Sequence, residues 1–403
     1  MNDYPSRIEH ELTSNILPFW IQHTVDHENG GFYGAISNDL QVLNEVDRSL
    51  VLCARILWSY SAAYRAYPQA EYLDMARHAY TYLTTRFYDA QYGGFYWTLD
   101  PHGAPTNDRK QSYGQGFAIY GLSEYYLACG EPHALALAQE TFKLLEQHAF
   151  DTAFGGYIES RARDWGVQAD MRLSEKEPNA AKSMNTMLHI LEPYTNLVRA
   201  WPAAWPRRQL AALLRVFLDH IVDPTTYATR LFFDSDWTVQ GDHVSYGHDI
   251  ECAWLLWEAA EVLNDPLPDA AFTERVRQTA IKMAEAVAAQ ALEPDGSLLY
   301  EASPRGIVID EKHWWAQAEA MVGFTNAAQL LQASNPAGAQ RFKTIALRLW
   351  DYIEAHHVDR QNGEWFKRLY RDGTPHPDSY KTGPWDCPYH HTRACLEMLK
   401  RLE

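Results

Sequence analysis

The chain has 403 residues, 46% of them hydrophobic and 13% aromatic, enough to bury a large core as one domain or as two to three small ones. A formal net charge of −17 argues against nucleic acid or an anionic membrane surface as partner, since binding either depends on a positive field. Cys53, Cys129, Cys252, Cys387 and Cys395 form neither a CxxC pair nor a Cys/His ligand spacing, which argues against a disulfide framework and a zinc site and fits a reduced, cytoplasmic setting. No export signal opens the sequence, and no apolar run approaches the roughly 18 residues of a membrane span. A neutral small molecule is the partner left. The 14 Trp and 24 Tyr suit a sugar, although a large helical core would itself use most of them.

Apolar residues at three-to-four spacing predict helices over 6–24, 46–67, 70–87, 112–128, 132–148, 181–200, 205–221, 247–263, 270–291, 314–333, 337–356 and 388–401. A turn segment punctuates them. It reads DHENGGFYGAI from Asp26, DAQYGGFYWTL from Asp89, DTAFGGYIES from Asp151, DPTTYATRLFFDSDW from Asp223, EPDGSLLYEA from Glu293 and DRQNGEWFKRL from Asp359, degenerate in the fourth and fifth copies. Each copy is an acid, a polar or glycine turn and a short aromatic or β-branched run, the pattern of a tight turn entering a brief strand.

Twelve helices in six pairs, without βαβ alternation, predict an all-α fold: an (α/α)6 barrel with short β pieces in the loops at one end. An open solenoid is the rival, and the lack of a polar capping repeat favours closure. No Pro-, Gly- or Ser-rich linker interrupts the chain, so 1–403 reads as a single domain, expected to be a monomer or weak homodimer. Inner helices of such a ring would direct their N-terminal ends into one central pocket.

Four segments could supply that pocket with chemistry. KSMNTMLHILEPYTNL puts Asn185, His189 and Glu192 on one face of a helix, facing either solvent or a wet interior. SYGHDIECAWLL puts His248 in the first turn after Ser245, a plausible N-cap, with Glu251 three residues on; a capping box without catalysis is the plainer reading. KHWWAQAEAMVGF sets Trp315 and Glu319 four apart, an apolar and polar wall for a sugar. GPWDCPYHHTRACLEML places Trp385 on a loop, Pro388 at the first helical position, and His390 and His391 in the first turn, one of the two candidates for simple exposure. No HExxH, HxH or comparable metal spacing occurs, nor a GxSxG elbow, a P-loop or a dinucleotide fingerprint, so neither metal nor cofactor is expected.

These motifs, with the segments around Arg55 and around Tyr113 (QSYGQGFAIYGLSEYY), resemble the N-acylglucosamine 2-epimerase superfamily over almost the whole chain, and within it the cellobiose 2-epimerases. The resemblance implies inversion at carbon 2 of the reducing-end glucose of a β-1,4-linked disaccharide without a cofactor. By it, His248 and His390 form the acid/base pair, and His189 assists ring opening or proton traffic on the substrate oxygens. Arg55, Tyr113, Asn185, Glu251 and Glu319 hold the open-chain sugar and its enediolate, and Trp315 and Trp385 stack on sugar rings. Those enzymes read NTHLH where this chain reads NTMLH, so Met187 bears on substrate preference. A mannose 2-epimerase or mannose–fructose isomerase would use nearly the same histidines. A carboxylate-based glycosidase and a non-catalytic sugar-binding protein are the readings from other classes.

Overall fold

The computed structural model describes residues 3–263 and 269–402. Among them are twelve helices, at nearly the predicted positions: α1 (4–23), α2 (Leu50–Ala66), α3 (70–87), α4 (Ser112–Cys129), α5 (Pro132–His148), α6 (Met184–Ala200), α7 (204–221), α8 (Tyr246–Leu263), α9 (Ala270–Gln290), α10 (Trp314–Leu331), α11 (336–357) and α12 (Tyr389–Leu402). The even-numbered six form the inner wall. Helices α2, α4, α8 and α10 are apolar or small on nearly every face, α6 and α12 carry polar stripes, and each packs on the next until α12 meets α2 and closes an (α/α)6 ring. The odd-numbered helices are amphipathic and lie outside. None of the described helices is long and apolar enough to cross a membrane.

Closure is written a second time at the end of the ring where the inner helices begin. A short strand precedes each inner helix and pairs antiparallel with the strand following the turn of the next repeat: Arg48–Ser49 with Thr98–Leu99, Lys110–Gln111 with Ser160–Arg161, Lys182–Ser183 with Phe232–Phe233, Val244–Ser245 with Glu301–Ser303, and Lys312–His313 with Arg368–Leu369. The sixth, Tyr380–Thr382, pairs with Ile36–Ser37 of the first repeat. The open solenoid is thereby excluded.

The recurrent acid explains the turns. Asp26, Asp89, Asp151, Asp223 and Asp359 each accept, through Oδ1, the backbone N–H groups two and three residues on, the Asx geometry that starts a tight turn. The second oxygen then takes a buried cation from the strand leading into the inner helix. Asp89 takes Lys110 at 3.0 Å, Asp151 takes Lys182 at 2.8 Å, Asp359 takes Lys381 at 2.6 Å, Asp26 takes Arg48, and Glu293 takes Lys312. The degenerate fourth repeat has Val244 at the cation's position, and Asp223 pairs with Arg230 of its own turn at 2.7 Å. In the third turn Gly156 (φ +74°) must be glycine twice over, since a Cβ there would lie 2.7 Å from the Trp237 ring.

A buried ion pair that loses one partner leaves an uncompensated charge out of water. Lys381→Met should therefore destabilise the fold by about 3–5 kcal/mol in urea denaturation. Lys400→Met, at an exposed pair on α12, should change it by less than about 0.5 kcal/mol. Equal effects would show that the turn cations contribute no more than surface charges.

Candidate active site

The first turns of the inner helices surround a cavity of about 380 Å³. Its wall includes Arg55 from α2, Tyr113 from α4, Asn185 and His189 from α6, His248 and Glu251 from α8, Trp315 from α10, and Trp385 and His390 from the approach to α12 and its first turn. Of the ten residues to which the resemblance gives a role in the reaction or in holding the sugar, Glu319 alone is not on the wall; it is fully buried behind His390. Convergence follows from the repeat, because Arg55, Phe117, His189, Glu251 and Glu319 are each the sixth residue of their helix. Of the polar stripe of α6, Asn185 and His189 thus face the cavity and Glu192 faces Arg393 behind it.

Helix α6 departs from regularity at His189 (φ −85°, ψ 15°), where Pro193 cannot donate to the His189 carbonyl. That carbonyl sits against α4 at Gly116, where a Cβ would come within 2.3 Å of the oxygen. The Asn185 Oδ1 is buried without a hydrogen-bond partner among the described residues, a free acceptor at the cavity.

The three imidazoles are held from behind. His390 Nδ1 lies 2.7 Å from Glu319 Oε1, and His189 Nδ1 lies 2.8 Å from Glu192 Oε1. A carboxylate oxygen accepts, so each Nδ1 carries the hydrogen and each Nε2 is left as the proton acceptor. His248 Nδ1 lies 2.8 Å from Ser245 Oγ, a hydroxyl that can donate or accept. The capping box considered for this helix does not form, because Glu251 is drawn instead to Arg393. Neither of the pair of which one was expected to be exposed is so: His390 and His391 are both buried, and His391 lies 2.8 Å from Glu364.

Arg393 was not singled out in the sequence. Fully enclosed, it donates to Glu251 Oε1 at 2.6 Å, to Glu319 Oε1 at 2.7 Å, to Glu192 Oε2 and to the Tyr389 hydroxyl. Trp254 Nε1 donates to Glu319 Oε2 at 3.0 Å. The signal was present: Arg393 follows His390 by one helical turn, and three inner helices carry glutamates for which no cation had been named. Trp314 and Lys367 also line the cavity and were likewise unassigned.

Burial pushes the His248 imidazole down to about 3, with His189 and Arg55 adding to the effect, and burial together with Arg55 and Arg393 pushes His390 well below its ordinary value. His189 is lowered by burial against the pull of Glu192. Glu192 resists its own burial and is held at about 2, chiefly by Arg393 and His189, whereas burial and the Glu319 charge push Glu251 well up. On the wall, the Trp315 ring lies 4.6 Å from His248 and 5.5 Å from His390, and Arg55 Nη2 donates to the Tyr113 hydroxyl at 2.8 Å. Trp385 leans on Tyr113 and Trp97, 5.6 and 6.0 Å away.

Two sets, His189–His248–Glu251 and Glu251–Glu319–His390, bring donor atoms within 4.8 Å of one another, a convergence that linear spacing concealed. Each contains a glutamate already bound by Arg393, and Arg55 stands near His248 and His390. Arginine thus already supplies positive charge at this site. What the arrangement can do is move protons between a bound polar molecule and neutral imidazoles while stabilising a developing oxyanion.

Residues 31–394 match the model of the family described as N-acylglucosamine 2-epimerase (GlcNAc 2-epimerase). A cellobiose 2-epimerase of Bacteroides fragilis is 45% identical over 97% of both chains. The structure of the cellobiose 2-epimerase from Bacillus thermoamylovorans B4167 superposes with a TM-score of 0.91 over the full length of both chains at 37% identity. A D-mannose isomerase of Marinomonas mediterranea is more distant, 26% identical over 96% of this chain and 95% of its own.

Asp249 seats α8 by accepting the backbone N–H and hydroxyl of Thr229 at 2.7 and 2.6 Å, and burial pushes its carboxyl up to about 7. Between its unfolded value near 3.8 and pH 7 the folded state keeps a proton that the unfolded chain releases, so this group's contribution to stability falls as pH rises through that window. Asp249→Asn keeps the acceptor and removes the titration. Its stability relative to wild type should rise from pH 4 to pH 7 by up to about 1.4 kcal/mol per unit in urea denaturation. A difference independent of pH would mean that Asp249 ionises normally.

Proposed function

The chain belongs to the N-acylglucosamine 2-epimerase family, and from that premise we propose that it reversibly inverts carbon 2 of the reducing-end glucose of β-1,4-linked disaccharides, converting cellobiose to glucosylmannose and lactose to epilactose. The observation that carries the reading is that two cavity-facing imidazoles, His248 and His390, both contact the Trp315 indole beside a fixed guanidinium. One imidazole takes the carbon 2 proton of the open-chain aldose and becomes an imidazolium; the other, protonated to the imidazolium in the sugar complex, returns its proton to the opposite face of the cis-enediolate and becomes neutral. The two exchange roles in the reverse direction.

Removing a proton next to an aldehyde is feasible only while the enediolate oxygen is stabilised. Arg55 is fixed for that task by Tyr113 and by the Phe117 ring 4.3 Å from its Cζ, so little reorganisation accompanies the reaction. His189, backed by Glu192, opens the ring or carries protons among the sugar oxygens, and Asn185 binds a hydroxyl through its free oxygen. Glu319 acts through His390 rather than on the sugar. Trp315 stacks on the reacting unit and Trp385 on the second sugar. Met187 does not weigh against a disaccharide: it is fully buried and absent from the cavity wall, with its sulfur 3.4 Å from where a Gly156 Cβ would stand.

Proton NMR of cellobiose with the protein in deuterated water should reveal a reducing-end mannose deuterated at carbon 2. His248→Ala and His390→Ala should each slow its appearance by about 10²- to 10⁴-fold with an unchanged circular dichroism spectrum. Free glucose would indicate hydrolysis, turnover of free mannose alone would place the chain with the mannose isomerases, and a near-normal rate in either variant would remove that histidine from its role. Trp385→Ala should raise KM for cellobiose about tenfold, roughly 1.4 kcal/mol, and leave KM for mannose nearly unchanged. Equal losses on both sugars would exclude an outer stacking site.

A further inference from the structure

Three carboxylates converge on a single buried guanidinium, so their hydrogen bonds must reveal which of them keeps a proton. Glu192 receives donors on both oxygens: His189 on Oε1, and Arg393 and Tyr389 on Oε2, the tyrosine at 2.5 Å. Glu319 does too, with His390 and Arg393 on Oε1 and Trp254 on Oε2. Neither has an oxygen left for a hydrogen of its own. Glu251 differs. Its Oε1 accepts from Arg393 at 2.6 Å, while its Oε2 is buried with no hydrogen-bond partner among the described residues, on a side chain that lines the cavity beside His248 and His189.

We infer that Glu251 is a neutral carboxylic acid that carries its proton on Oε2 and donates it as a hydrogen bond to a hydroxyl or developing oxyanion of the bound sugar, with Arg393 as the positioning residue that keeps Glu192 and Glu319 ionised. The inference rests on the epimerase reading for its ligand and on the hydrogen-bond pattern for its proton. Burial and the Glu319 charge act in the same direction by raising the Glu251 carboxyl. Full ionisation of all three glutamates would leave two uncompensated negative charges around one guanidinium in a water-poor interior, a cost that one proton relieves. The proton then serves where the sugar binds. Two ionised glutamates fix the Nδ1–H tautomers of His189 and His390, and the third presents an O–H where a carboxylate would repel an enediolate.

Glutamine distinguishes the two kinds of glutamate, since it mimics a protonated acid in shape, charge and donor capacity. Glu251→Gln should lose activity on cellobiose yet retain a kcat/KM at least about tenfold above that of Glu251→Ala, whereas Glu319→Gln and Glu192→Gln should each lose at least about a hundredfold. Infrared difference spectra of sugar-free wild type minus Glu251→Gln should show the carbonyl stretch of a protonated carboxylic acid. Absence of that band, or a loss in Glu251→Gln as deep as in Glu251→Ala, overturns the inference. Because the infrared readout needs no turnover, a protein that left cellobiose untouched would refute the epimerase reading while the protonation state was still decided.

Discussion

The structure depends on one repeated contact, an acid that starts a turn with one oxygen and holds the next strand's buried cation with the other. Desolvation of both charges offsets much of their attraction, so the pair's main effect is placement: a carboxylate buried at the head of a turn tolerates its cation in one position only. With the cation fixed, the two-residue strand carrying it is fixed, and so is the inner helix that begins immediately after it. Repeated around the ring, and passed from each repeat to the next by antiparallel pairing, the contact sets the inner helices to start at one end. The cavity is the consequence of that alignment.

Inside the cavity the same physics is applied once, to chemical effect. Arg393 joins α6, α8, α10 and α12 through three glutamates, and two of those glutamates orient imidazoles. A buried cation without such partners would be costly, and so would three buried carboxylates without a cation; together they form a network in which each charge fixes another's geometry. His390 and His189 therefore belong to one hydrogen-bonded assembly running through Glu319, Arg393 and Glu192. His248 stands outside it on a serine hydroxyl. The two imidazoles in contact with Trp315 thus have unlike backing, His390 a carboxylate and His248 a hydroxyl, although both are pushed down by burial.

Much of this was legible in the sequence. The helices were readable because apolar residues recur at three-to-four spacing through each of them, and the ring because an acid-headed turn, with glycine in five of its copies, recurs six times. Nine of the ten candidate site residues lie on the cavity wall: the resemblance to a family's motifs named them, and the sixfold repeat brings the helix starts that carry them to one end. What remained hidden was three-dimensional. That Glu319 stands behind His390 rather than beside the sugar, that Glu251 turns to Arg393 rather than to its helix end, and that His391 points to Glu364 all depend on which inner helix neighbours which. The donor clusters of His189, His248, Glu251, Glu319 and His390 were invisible for the same reason: no two of their helices are joined by a turn.

The division between scaffold and chemistry follows the repeat itself. Positions that recur, the turn acids and the strand cations, carry stability and alignment, and where one is lost, as at Val244, a local substitute such as Arg230 appears. Positions that are equivalent but differ in residue decide what the cavity and the layer behind it present. The sixth residue of the inner helices reads Arg, Phe, His, Glu and Glu from α2 to α10, five side chains brought to one level by symmetry and given separate tasks by their differences. A sixfold ring of identical units would present six like groups to its axis, and six like charges there would not stay ionised. Breaking the repeat at this level lets cation, imidazole and carboxylate gather at one end of the ring, His189 and Glu251 with donor atoms within 4.8 Å of each other.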